Sequence, residues 1–451
     1  MTRDTKRNAV ALEEIVLETS AVGQRPRARA SWLGADPRCR MTRLDAAWDR
    51  YVALVDQEQA RNQRHPGQYP HYTENDRWVR LSIDATSGWV DETFYDHGNW
   101  TAGFSAGQVW LARNGVGEPA RVADEQRSVL QDVAKRAEDK TTHDLGFLFH
   151  PSFVLGRQLG YLEQPDVAPA ITAARSLAER FNPRGGYLQA FGSLTDARSR
   201  STSTIDTMMN LPLLWWAAAV TGEEELHSRA VAHATASATN LFRPDGSTYH
   251  LIRYDPETGD VVAKGTFQGA TDASCWSRGQ AWAIAGFALS YAETGRRGFA
   301  EVARRAWDYF AARIPDDAVV PYDFSLPDDP VRDASASAIA ALGALVLSET
   351  ADGGRQSSQG RVLRDEAVSV LASLDEHAVR RDADCDGVLL RSCYSKPHGR
   401  GLSGALPYGD FYYGLALALA SGQVPLDRIL ANRGAGPSML AEHSGGRPGS
   451  P

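Results

Sequence analysis

The sequence predicts an all-α, single-domain fold, an (α/α)6 barrel in which helical hairpins close into an inner and an outer ring. Three observations carry this. Segments that are apolar nearly all round, such as "GQAWAIAGFALSYA" and "SASAIAALGALVLS", alternate with segments that are apolar on one face only. A short glycine turn separates the two members of each pair. About six such pairs fit the chain, and helices buried on every side need an outer layer to cover them. A straight solenoid of the same hairpins is the alternative arrangement.

Taken in order, residues 1–40 include "GQRPRARAS" and lack sustained periodicity, which predicts a disordered N-terminal extension. The barrel domain is expected over 41–432. It opens with the amphipathic "MTRLDAAWDRYVALV" at Met41. Glycine turns then follow at Gly115, Gly160, Gly222, Gly295 and Gly353, and Gly422 closes the series. The helices after the turns show a 3.6-residue period: Val167, Ala170, Ile171, Ala174, Ala178 and Phe181 share one face, as do Phe299, Val302, Ala303, Ala306 and Phe310. Few segments read as strands, the best hairpin being "STYHLIRYDPETGDVVAK" at 247–264. The Gly-, Ser- and Pro-rich residues 433–451 are expected to form a flexible tail.

Composition narrows the function. A net charge of −8 argues against a phosphate-binding face, so nucleic acid is not an expected partner. The apolar stretch "LPLLWWAAAV" is far short of the roughly 20 residues that span a bilayer, so no membrane partner is expected either. Cys39, Cys275, Cys385 and Cys393 form no CxxC pair, which speaks against a disulfide framework or a zinc site. With Glu13, Glu14 and Glu18 interrupting the N-terminal apolar piece, the expectation is a cytoplasmic protein. No metal and no cofactor are expected. "DADCDG" at 382–387 starts like a calcium loop, but its twelfth position is Cys393 where a bidentate Glu belongs.

In a toroid of this kind the loops that enter the inner helices gather at one end. Those segments are "DHGNWTAGFSAGQVWLA", "THDLGFLFHPSFVLG", "STIDTMMNLPLLWW", "GTFQGATDASCWSRGQAWAIAGF" and "YDFSLPDDPVRDASASAIAA". Each mixes aromatic rings with a few polar groups, the combination that holds a sugar by stacking and hydroxyl contacts. Asp206 heads an apolar run, where helix capping is the plainest reading of a carboxylate.

The motifs "HDLGFLF", "IDTMMNLPLL" and "WSRGQAW", in this order and spacing, resemble the unsaturated glucuronyl hydrolases of glycoside hydrolase family 88. The resemblance covers roughly Met41 to Ala431. It implies an (α/α)6 barrel that removes a Δ4,5-unsaturated uronic acid from the non-reducing end of lyase-made oligosaccharides, by hydrating the C4=C5 enol ether. By position, Asp206 matches the family's general acid/base and Asp144 its second essential acid. Trp100, His143, His250, Gln268, Trp276, Arg278 and Trp282 match substrate-site positions; Thr266 and Tyr394 match more loosely. Arg278 is expected to meet a substrate anion. A like-charged Asp144 and the rings of Trp215, Trp216 and Trp282 are expected to raise the Asp206 pKa.

The chain departs from the family at Ser395, where a His is common, and after "GDFYY", where an acidic residue is common, and both departures leave open which sugar the next subsite takes. Unsaturated rhamnogalacturonyl hydrolases, an inverting two-carboxylate glycosidase on saturated chains and a non-catalytic carbohydrate-binding toroid are the alternatives.

Overall fold

The computed structural model of the protein describes residues 37–84, 98–195, 201–351 and 354–431. The expected extension before residue 37, the expected tail and the turn at Gly353 lie outside these residues. Twelve helices, in chain order, lie among the described residues. They are α1 (Pro37–Asn62), α2 (Ala102–Ala112), α3 (Pro119–Ala134), α4 (composite, starting at Leu145–Phe149), α5 (Ala168–Ala178) and α6 (Leu211–Thr221), then α7 (Glu224–Asn240), α8 (Ser277–Thr294), α9 (Arg297–Ala311), α10 (Ala334–Thr350), α11 (Ser358–His377) and α12 (Pro407–Ser421).

The even-numbered helices pack on one another in sequence, α2 on α4, α4 on α6 and so on to α12, and α12 returns to α2. The odd-numbered helices cover them, with α11 packed on α1. The inner ring therefore closes, with α11 beside α1 in the outer layer, which selects the (α/α)6 barrel over the solenoid. The division follows side-chain chemistry. Every residue of α2 is buried, as is Ala334–Ser348 of α10. By contrast α9 buries Phe299, Val302, Ala303, Ala306, Trp307 and Phe310 on one face and turns its arginines outward.

Inner helices α6 and α8 stop where Gly222 and Gly295 take the left-handed conformation, with φ of 76° and 68°. Helix α4 departs from regularity because Pro151 lacks a backbone N–H. It passes through a π-turn at His150–Val154 before resuming as Leu155–Gln158. The Ser152 carbonyl in this turn accepts from Trp110 Nε1 at 2.7 Å.

Short strands decorate only the end where chains enter inner helices. A hairpin of β1 (Tyr69–Glu74) and β2 (Arg77–Leu81), turning through Asn75 and Asp76 at positive φ, was not foreseen from the sequence. A second, minimal pair joins β3 (Phe181–Asn182) to β4 (Tyr187–Leu188). The hairpin expected at 247–264 forms as β6 (Leu251–Tyr254) and β7 (Val261–Gly265), and β5 (Thr202–Thr204) adds to it in the order β5-β6-β7. Among the described residues no helix is long and apolar enough to cross a membrane.

Candidate active site

Sheet register, more than helix geometry, sets the site. Thr204 of β5 pairs with Leu251 of β6, and Leu251 pairs with Gly265 of β7. One end of this sheet therefore presents Asp206, His250 and Thr266 side by side. The Ile205 amide donates to the His250 carbonyl at 3.0 Å and fixes the alignment. The ladder continues on the other side of β5. Ala190 N–H donates to Thr202 O at 2.8 Å, His143 N–H to Ala190 O at 3.0 Å, and Thr142 bridges to Phe191. Both acids are thus carried by one irregular sheet over the mouth of the inner ring.

Asp206 does not cap a helix. It lies in a 3-10 turn, Ile205–Met209, whose N-cap Thr204 makes no side-chain cap bond, and Asn210 occupies the N-cap of α6. Its side chain is 16% exposed, and His250 Nε2 stands 3.1 Å from Oδ2. That is ion-pair distance, yet the N–H is not aligned on the oxygen, so Oδ2 is buried without a directed donor. The Phe267 amide donates to His250 Nδ1 at 3.3 Å, and Thr266 Oγ1 lies 3.0 Å from the same nitrogen. Nδ1 is therefore an acceptor, and the neutral ring carries its proton on Nε2, facing Asp206.

Asp144 belongs to a second, parallel chain. Thr142 Oγ1 donates to its Oδ2 at 2.8 Å, and His143 Nε2 stands 3.3 Å from Oδ1. His143 Nδ1 meets Thr207 Oγ1 at 2.6 Å. Because Thr207 follows Asp206, His143 ties the two acid-bearing segments together. Burial pushes the His143 imidazole down to about 3, so it is neutral and its Nδ1 accepts a hydrogen bond from the Thr207 hydroxyl.

The expected rise of the Asp206 pKa is not what this site shows. Burial does push it up, but the nearby His250, with His143 behind it, outweighs burial and holds the carboxyl below its ordinary value. Asp144 is not among the leading influences.

Arg278 also departs from expectation. Its side chain is 2% exposed and forms an ion pair with Asp333. Nη1 further donates to Cys393 O at 2.6 Å and Nη2 to Tyr394 O at 2.7 Å. A bidentate grip on a substrate anion needs both nitrogens, and both are engaged. The guanidinium instead lies 4.5 Å from the Trp276 ring centre and 5.3 Å from that of Tyr408, making it a strut behind the site. Trp276, 2% exposed, rests 4.7 Å from the His250 ring and supports it. Trp282, 1% exposed, is core between Phe147 and Tyr412. Neither offers a broad stacking face. Trp100 does, since it is half-buried and stacked on Tyr408 at 5.0 Å.

Gln268 donates to Tyr394 O at 3.2 Å, while its own carbonyl accepts from Tyr322 OH at 2.7 Å, so it anchors one wall. Tyr394 meets His71 Nε2 at 3.0 Å and stacks on Tyr72 at 5.0 Å. Sequence reasoning missed His71, Thr142, Thr207 and Tyr408. The "YPHY" pattern with an Asn-Asp turn was the signal for His71; the two threonines flank the acids and were legible only as neighbours. Among the described residues no group of three or more His, Cys, Asp or Glu side chains could hold a metal ion.

Comparison with known proteins bears on the family and the fold. The model of Glycosyl Hydrolase Family 88 matches residues 151–296. The unsaturated glucuronyl hydrolase of Bacillus sp. (strain GL1) is 36% identical over 325 residues, 70% of this chain and 85% of that protein. The unsaturated chondroitin disaccharide hydrolase of Streptococcus pneumoniae (strain ATCC BAA-255 / R6) is 32% identical over 323 residues, 70% of this chain and 81% of that protein. The crystal structure of the Bacillus sp. GL1 enzyme superposes with a TM-score of 0.75 at 31% identity, covering 84% of this chain and 97% of that one. By this likeness in sequence, motif and fold, the chain belongs to glycosyl hydrolase family 88.

Proposed function

We propose that the protein removes a Δ4,5-unsaturated glucuronic acid residue from the non-reducing end of lyase-generated oligosaccharides, with Asp206 as the group that gives and regains the proton. The single observation that carries this reading is Asp206 Oδ2, buried at the barrel mouth without a directed donor and faced by His250. Thr204 Oγ1 and Trp276 Nε1 close by are likewise buried without a hydrogen-bond partner, but Oδ2 is the acidic atom among them.

The chemistry follows from charge. Protonated Asp206 gives its proton to C4 of the enol ether while a water adds its oxygen to C5 and returns a proton to Asp206. C5 becomes a hemiketal, the ring opens to a ketone, and the hemiacetal left at C1 collapses to an aldehyde, expelling the next sugar as an alcohol. One water is consumed. In the free enzyme Asp206 is held ionised; a bound uronate brings its own carboxylate and expels water, and both effects favour the protonated form. Asp144, fixed by Thr142 and His143, positions the water or the sugar ring, and Trp100 supplies the stacking surface. The relatives named for glucuronyl and chondroitin disaccharide substrates support a glycosaminoglycan-derived substrate. The free thiols of Cys275, Cys385 and Cys393 suit work in the cytoplasm.

The test is to follow the ultraviolet absorbance of the double bond in unsaturated chondroitin, hyaluronan and heparin disaccharides. At least one should lose it with the wild-type protein. Asp206→Asn should lower kcat by about 10⁴-fold or more, since one residue handles both protons. No loss of absorbance with any substrate, or turnover in Asp206→Asn near that of the wild type, would refute the assignment.

A further inference from the structure

Arg180 follows α5 and is 1% exposed. Its guanidinium donates from Nε to Gln189 O at 2.9 Å, from Nη2 to Gly192 O at 3.1 Å and from Nη1 to Lys140 O. All three partners are backbone carbonyls, and among the described residues no carboxylate lies within ion-pair distance of it. A buried guanidinium with no anion beside it is costly. Burial pushes it down to about 10, against the pull of Asp139 and Asp144, so it still carries its charge near pH 7.

The three carbonyls are not scattered. Lys140 leads into Thr142, His143 and Asp144, while Gln189 and Gly192 bracket Ala190 and Phe191, whose backbone pairs with Thr142 and His143. The Phe191 ring packs edge-on to His143 at 5.6 Å and against Phe267 at 5.0 Å. Arg180 thus sits beneath the seam that carries one catalytic carboxylate, and its field reaches both His143 and Asp144.

The other charged groups on this seam are otherwise committed or uncharged. Asp139 is paired with Arg136, and Lys140 Nζ reaches Glu179 at the surface. Buried His233, which accepts from the Leu188 amide at 2.9 Å, is neutral. Asp206 and His250 are the other titratable groups near enough to act on His143.

We infer that Arg180 is a positioning residue for the reaction: it clamps the segment bearing His143 and Asp144, and its unpaired charge favours the Asp144 carboxylate and adds to burial against a proton on His143, leaving the transferable proton to Asp206. Two carboxylates at one mouth need environments that separate their roles. Thr142, His143 and Arg180 fix Asp144 as the anion. Asp206, with an undirected Oδ2, is free to cycle. This inference rests on the assignment of Asp206 given above.

Two variants separate charge from clamp. Arg180→Gln keeps donors for the carbonyls and loses the charge; Arg180→Lys keeps the charge and loses the planar fork. In Arg180→Gln the acidic limb of kcat/KM, where Asp144 takes up a proton, should move up by about one pH unit, with kcat about tenfold lower. Arg180→Lys should keep the wild-type limb although its melting temperature falls. NMR titration of the His143 ring reads the same field without turnover: its protonation should move to higher pH in Arg180→Gln and stay put in Arg180→Lys. If both variants lose stability alike while the pH profile and the His143 titration match the wild type, Arg180 is structural only and the inference is overturned. If the wild type turns over no unsaturated substrate, the functional reading fails, and the His143 titration still decides the role of Arg180.

Discussion

Asp206 experiences two opposed pressures, and their balance sets its chemistry. Burial favours the protonated carboxyl, and the His250 contact at 3.1 Å favours the anion; in the free site the anion wins. The activity requires the acid, so kcat/KM should fall as pH rises through the free-enzyme pKa. The corresponding limb in kcat should lie at higher pH, because bound uronate adds like charge. Replacing His250 by Ala removes the main pressure toward the anion. The limb of kcat/KM should then move up by about one unit, even as the maximal rate drops. Full pH profiles of the wild type and His250→Ala check this, and a limb that moves down would show that His250 does not hold Asp206 ionised. At this scale the acids and their histidines were legible, because "HD" and "IDT" lie in local motifs. Arg278 was misread because its partners, Asp333 and the carbonyls of Cys393 and Tyr394, are remote in sequence and leave no local mark.

The helices divide by how closely their neighbours approach. On α10, a Cβ built at Gly343 would lie 2.7 Å from the Ala285 nitrogen and 2.8 Å from its Cα, both backbone atoms of α8. Neither can swing aside. Gly343→Ala should therefore force two inner helices apart and cost about 1–3 kcal/mol. On outer helix α9, Gly298 has open space around the same position. Gly298→Ala should be neutral or gain up to about 1 kcal/mol from helix propensity. Calorimetric melting of the two variants side by side tests whether tight inner packing, not glycine as such, is the constraint. The alternation of all-round apolar and one-faced segments made inner and outer helices readable in sequence. The β1–β2 hairpin was not, since its first strand is buried on both faces and shows no clean alternation.

For the whole molecule, pairing of helices was local and readable, but closure was not, because it rests on contacts of α12 with α2 and of α11 with α1 across the length of the domain. Closure also creates an interior in which polar groups must be satisfied in one charge state. His143 and His233 are 3% and 0% exposed, and burial pushes each imidazole down to about 3. His233 Nδ1 accepts the Leu188 amide, so protonating it removes a backbone partner. In the unfolded chain a histidine takes up its proton near pH 6.5, whereas these two resist until far lower pH. Between those limits the unfolded state binds more protons, so stability falls as pH falls. Asp206, whose carboxyl is held low, adds to the loss at the acidic end. Each imidazole contributes up to about 1.4 kcal/mol per pH unit, together about 3, between roughly pH 6 and 4. Melting temperature should drop steeply on acidification below pH 6 and be nearly flat from pH 7 to 8. His233→Gln should be less stable at pH 7 yet show a shallower slope, with His143 and His150, whose imidazole burial pushes down to about 4, carrying the rest. A melting temperature that stays level from pH 6.5 to 4.5 would mean these imidazoles are not the groups whose neutrality the closed ring enforces.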